Sequence, residues 1–110
     1  MDIKSRKENN VTVVTLTGRM DAVTAPVFEK SLSEMIAQGA QVFIVNLSAL
    51  EYISSAGLRC ILATAKKLKN TNGKIVFVGL QGAVEEVFKI SGFHSIFKVF
   101  ETEEKALKKI

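Results

Sequence analysis

Residues Val42–Lys69 read VFIVNLSALEYISSAGLRCILATAKKLK, two different periodicities joined by a serine pair. The first part, Val42–Leu47, is apolar almost throughout and too short for a helix, the pattern of a strand covered on both faces. From about Ser55 to Lys69 the apolar residues Leu58, Ile61, Leu62, Ala65 and Leu68 recur at helical spacing. A buried strand feeding an amphipathic helix is half of a βαβ unit, so the flanking sequence should supply more strands of the same kind.

It does so on both sides. Upstream, the β-branched run Val11–Thr17 ends at Gly18 and follows a weakly alternating segment, Ile3–Glu8, across Asn9 and Asn10, which predicts an opening hairpin. A first helix is expected after the GRMDAV loop, with Thr24 as cap, Pro26 in the first turn, and Ala25, Phe28, Leu32, Met35 and Ile36 on its inner face. Downstream, Lys74–Leu80 repeats the buried-strand pattern, and Gln81–Ile90 reads as a helix carrying Val84, Val87 and Phe88 inward. A short strand at Phe97–Phe100 and a last helix opened by Thr102, acidic at its start and basic at its end, complete the order ββαβαβαβα. Right-handed crossovers make the central strands parallel, with the hairpin as an antiparallel edge. Every connection is short and no repeat or linker interrupts the pattern, so residues 1–110 form one domain.

Composition narrows the function. At 47% hydrophobic and 24% charged, the chain can bury a core without disulfides or metals. The start MDIKSRKENN is polar, and no apolar run approaches the ~20 residues needed to cross a bilayer, so a cytoplasmic protein without membrane insertion is expected. A net charge of +4 invites a nucleic-acid reading. Yet Lys66, Lys67, Lys69, Lys105, Lys108 and Lys109 gather at helix C-termini, where cations complement the dipole, and no direct nucleic-acid contact is expected. The lone cysteine, Cys60, lies within a helix and His94 within a loop; no third group orients them, and neither has ligand-spaced company for a metal. Neither GxxxxGK[ST] nor GxGxxG occurs, so no cofactor and no enzymatic activity are expected.

The remaining chemistry lies in Asn46–Arg59, NLSALEYISSAGLR. Either serine of the pair can cap the following helix, worth ~1 kcal/mol over alanine. A phosphate at the same position would meet the positive end of the helix dipole, which gives the pair a second reading as a modification site. Gly57 fits either the approach of a partner backbone or tight packing on the sheet, and Asp21 reads as a turn or cap residue.

NLSALEYISSAGL resembles the signature of STAS domains in the anti-sigma factor antagonist family. The GRMD loop (Gly18–Asp21), KIVFVGLQGAVEEVFKISGF (Lys74–Phe93) and TEEKAL (Thr102–Leu107) extend the likeness over nearly the whole chain. The resemblance implies an α/β STAS fold: a mixed, largely parallel sheet with an antiparallel N-terminal edge hairpin and about four helices. It also implies a partner-switching role. In that family a combined anti-sigma factor and serine kinase phosphorylates the serine matching Ser55, a serine phosphatase reverses this, and only the unphosphorylated antagonist binds the kinase and frees the sigma factor. Many members carry an acidic residue where this chain has Ser54, which leaves Ser54 as the alternative acceptor. The implied partner-binding set is Asp21, Thr24, Tyr52, Ser54, Ser55, Ala56, Gly57, Leu58 and Arg59. The competing expectation is a STAS interaction module serving a secretion regulator or lipid-transport complex, without sigma-factor output.

Overall fold

The computed structural model describes all residues, 1–110. In chain order the elements are strands β1 (Asp2–Glu8) and β2 (Val11–Met20), helix α1 (Ala25–Ala37), β3 (Val42–Ile53), α2 (Ser55–Asn70), β4 (Lys74–Val78), α3 (Gly82–Ile90), a 3-10 turn at Phe93–Ser95, β5 (Val99–Phe100) and α4 (Glu103–Lys109). The five strands lie in sequence order, β1 antiparallel to β2 and all others parallel. The expected α/β architecture with an antiparallel edge hairpin is therefore what the chain forms.

Because side chains alternate across a strand, the two faces of the sheet carry different cores. Val14, Leu16, Phe43, Val45, Leu47, Ile75 and Phe77 face α1, α2 and α3, whose Phe28, Leu32, Ile61, Leu68, Val84 and Phe88 complete the main core. Val13, Ile44, Val76 and Val78 face the other way and are covered by Ala106 of α4. Below α3, Phe77 meets Phe88 and Phe97 edge-on, and Phe93 does the same to Phe88 and Phe97, with centroids 5.2–5.4 Å apart. Such pairs add ~1 kcal/mol each beyond burial. The cluster explains why the strand expected at Phe97–Phe100 is only two residues long: the Phe97 N–H donates to Phe93 O, and the chain curls to seat both rings before it extends.

Two strands outrun their expected ends. β2 continues through Gly18 and Arg19 to Met20, and β3 continues from Leu47 to Ile53. Against β2, β3 carries one extra residue between Asn46 and Ala49 and another between Leu50 and Tyr52, so it bulges twice. The first bulge has its backbone satisfied locally. Asn46 Oδ1 accepts from the Ser48 N–H at 2.9 Å and from its hydroxyl at 2.7 Å, and Gln81 Nε2 donates to Ser48 O at 2.6 Å. Asn46 also fixes α4, donating from Nδ2 to Glu103 Oε2 at 2.7 Å while Arg6 of β1 donates to Glu103 Oε1 at 2.8 Å. These two donors hold the Glu103 carboxyl below the ordinary glutamate range, the hydrogen bond from Asn46 first and the hydrogen bond and charge of Arg6 after it.

Candidate functional site

Parallel strands with right-handed crossovers bring the N-termini of α1, α2 and α3 to the carboxyl edge of the sheet, the edge at which open α/β folds present their sites. α1 and α2 pack side by side there, and Lys67 Nζ reaches Ser33 Oγ at 2.7 Å further along the pair. Where β3 ends, the Ser54 N–H donates to Met20 O at 2.9 Å, which pins the start of α2 to the end of β2.

The two serines divide the work of the helix start. Ser54 has extended backbone, φ −94° and ψ 172°, and its Oγ accepts from the Gly57 N–H at 3.2 Å, so Ser54 is the cap. Ser55 is the first helical residue; its side chain is exposed and makes no hydrogen bond within the chain. Next to them Gly57 is buried. A Cβ there would stand 2.8 Å from Ile53 Cγ1 and 2.9 Å from Met20 Sδ, so the glycine serves the close seating of α2 on the ends of β2 and β3, the packing reading of the two the sequence offers.

Thr24 corrects the expectation that its side chain caps α1. Its backbone is already helical, with φ −90° and ψ −24°, and it makes no cap bond into the helix. The turn begins three residues earlier. Asp21 Oδ1 accepts from the N–H groups of Val23 and Thr24, both at 3.0 Å, while Thr24 Oγ accepts from the Asp21 N–H at 2.8 Å. This reciprocal pair has the logic of a capping box. The donated N–H groups, Thr24's first and Val23's next, hold the Asp21 carboxyl below the usual aspartate range. Asp21 is thus a turn cap at the site's rim, as one of its two sequence readings has it.

Of the other expected contact residues, Tyr52 and Arg59 are exposed, whereas Ala56 and Leu58 are half-buried against the core. Three residues at this edge have no counterpart among the sequence-derived candidates. Arg19 lies over the Tyr52 ring, 4.3 Å from its centroid, and Val23 and Val27 stand out at the start of α1, 80% and 52% exposed. An apolar Val23 within a polar turn was the available signal for that patch; Arg19 gave none, because its pairing with Tyr52 depends on the bulge. An open depression of about 620 Å³ between Thr17–Gly18, Ser48–Glu51 and Gln81–Ala83 lies along the same edge and includes neither Ser54 nor Ser55. Cys60 is half-buried in α2, and burial first, then the Glu29 carboxylate, push its thiol upward, away from nucleophilic character. No helix is long and apolar enough to cross a membrane.

Comparison with known proteins agrees with this geometry. The STAS domain profile matches residues 2–106. BtrV of Bordetella bronchiseptica, named as a candidate anti-sigma factor antagonist, is 37% identical over 106 residues, 96% of this chain and 91% of its own. An anti-sigma factor antagonist from Mycobacterium paratuberculosis superposes with a TM-score of 0.89 at 28% identity, over 99% of this chain and 92% of that one. The Bacillus cell fate determinant SpoIIAA in its phosphorylated form shares the fold, with a TM-score of 0.76 at 23% identity over 98% of each chain.

Proposed function

The chain belongs to the STAS domain family, and from that membership we propose that it is an anti-sigma factor antagonist that switches partners through Ser55. Unphosphorylated, it binds an anti-sigma factor that is also a serine kinase, and so frees the sigma factor in the cytoplasm. The kinase moves the γ-phosphoryl group of ATP to Ser55 Oγ, ADP departs, the hydroxyl proton passes to a base of the kinase, and the complex separates. A serine phosphatase hydrolyses the ester and restores the antagonist. The chain is ligand and substrate in this cycle and catalyses none of it.

The observation that carries this reading is the division between the serines. A reversible modification needs a hydroxyl on which the fold does not depend, and the Ser55 side chain is exposed and unbonded while Ser54 holds the cap. A phosphoserine adds roughly −1.5 to −2 charges, placed here beside free N–H groups at a helix start, so the modified chain keeps its fold and changes its surface. Exposed Val23, Val27 and the Arg19–Tyr52 stack offer the apolar and cationic contacts that a protein partner uses at the same edge.

The test is a titration of the cognate anti-sigma kinase with wild-type, Ser55→Ala and Ser55→Asp chains, together with fragment mass analysis after incubation with ATP. The expected result is one phosphate on Ser55, none on Ser55→Ala, retained binding by Ser55→Ala, and a loss of about tenfold or more in affinity for Ser55→Asp. Stoichiometric labelling of Ser55→Ala, or undiminished binding by the phosphorylated chain, would overturn the proposal.

A further inference from the structure

The chain has three arginines, and two of them are engaged. Arg6 is shared by Glu8 and Glu103, and Arg19 stacks on Tyr52. Arg59 is exposed in the second turn of α2 and forms neither an ion pair nor a hydrogen bond. The first turn of α2 contains no acidic residue to balance it. Glu29 of α1 comes close to the same stretch, where its charge and that of Arg59 act in opposite senses on the Cys60 thiol, yet no pair closes between them.

Arg59 lies four residues after Ser55 on one helix. Side chains so spaced share a face, about 5–6 Å apart at Cβ, and an acid placed N-terminal to a base is the favourable order. We infer that Arg59 is the internal counter-ion of phosphorylated Ser55, closing an i to i+4 ion pair that exists only in the modified chain. This rests on the reading of Ser55 as the phosphoacceptor. Its consequence is that phosphorylation alters two charges at once: it adds an anion at the helix start and withdraws from the docking surface a cation that is free in the unmodified protein. A guanidinium suits the task because its planar fork meets two phosphate oxygens together.

The experiment uses the full chain with phosphoserine installed at position 55 during translation, so that no kinase is needed. A phosphorus NMR titration then follows the second ionisation of the phosphate. A nearby cation favours the dianion, so Arg59→Gln should raise the midpoint by about 0.3 of a pH unit. Arg59→Lys should give a smaller rise, and Lys66→Gln, three turns along the helix, none. A midpoint for Arg59→Gln equal to that of the unsubstituted phosphoprotein, or a shift of the same size from Lys66→Gln, overturns the inference. Both substitutions lie at exposed positions without partners, so thermal unfolding of the unmodified variants should match the parent and secure the comparison. The same phosphoprotein separates this inference from the proposed function. Undiminished binding to the anti-sigma kinase with the Arg59 shift intact refutes the switch alone, whereas lost binding without the shift refutes the ion pair alone.

Discussion

Replacing Gly57 by alanine tests how closely α2 must sit on the sheet to hold the serine pair in place. In an ordinary helix the change stabilises, by about 0.5–1 kcal/mol, because glycine loses more backbone freedom on folding. Here the added Cβ would lie 2.8 Å from Ile53 Cγ1 and 2.9 and 3.1 Å from Met20 Sδ and Cγ. Ile53 is β-branched and 2% exposed, so it yields little; Met20 is flexible but fully buried, with little space to move into. Overpacking of this kind costs typically 1–3 kcal/mol, which exceeds the propensity gain and leaves a net loss of about 1 kcal/mol or somewhat more. For a domain of this size the melting temperature should fall by roughly 4–8 °C, measured by circular dichroism and paired with a urea titration whose slope stays constant. In a Met20→Ala background part of the clash is gone, and the cost of Gly57→Ala should shrink by about 0.5 kcal/mol or more. An unchanged or raised melting temperature would refute the packing argument and return Gly57 to the partner surface.

The two serines should separate cleanly in stability: Ser54→Ala loses about 1 kcal/mol with the cap bond to Gly57, whereas Ser55→Ala stays within about 0.5 kcal/mol of the parent, both read from urea midpoints. At the rim, Asp21→Ala should lower the urea midpoint and Asp21→Asn should lower it much less, since an asparagine oxygen can still accept from Val23 and Thr24; equal losses would mean that charge, not the turn, is what matters. Glu103 has a folded pKa below its unfolded value, so the stability it contributes is complete above the unfolded value near 4.5 and is lost as pH falls through the depressed folded one. Glu103→Gln should therefore flatten the acid limb of the stability curve and cost about 1 kcal/mol at neutral pH, where Arg6 and Asn46 otherwise meet a carboxylate.

Periodicity made most of this fold readable. β4 and the helices each keep one period throughout, so apolar spacing alone locates Val84 and Phe88, or Ile61 and Leu68, on inner faces. The end of β3 is different. Its buried residues there are Leu47, Leu50 and Ile53, three apart, because each bulge inserts an extra residue and resets the alternation. Ser48, Ala49 and Glu51 also have weak strand preference, so neither pattern nor propensity marks the extension. The expectation that strand pairing stops at Leu47 fails for that reason, and with it the chance of foreseeing the Arg19–Tyr52 stack. Thr24 is misjudged on similar grounds: a threonine before a proline-containing helix looks like a cap, but Asp21 three residues earlier makes the shorter turn, a choice that depends on where β2 ends.

That same irregular end of β3 accounts for the accessibility of Ser55. With two extra residues β3 reaches Ile53 beside Met20, so that the Ser54 N–H bonds Met20 O and the chain turns directly into α2. The turn needs one side-chain cap, and the residue with extended backbone supplies it, because only there can Oγ reach back to the N–H three residues on. Ser55, already helical, is left with a hydroxyl that points to solvent and supports nothing. The Ser54 oxygen is already committed to the Gly57 N–H, whereas a charge on Ser55 meets free N–H groups and the unengaged Arg59. The geometry of a strand ending thus separates a residue that the fold requires from one that a partner can modify, which is why two adjacent serines are not equivalent here.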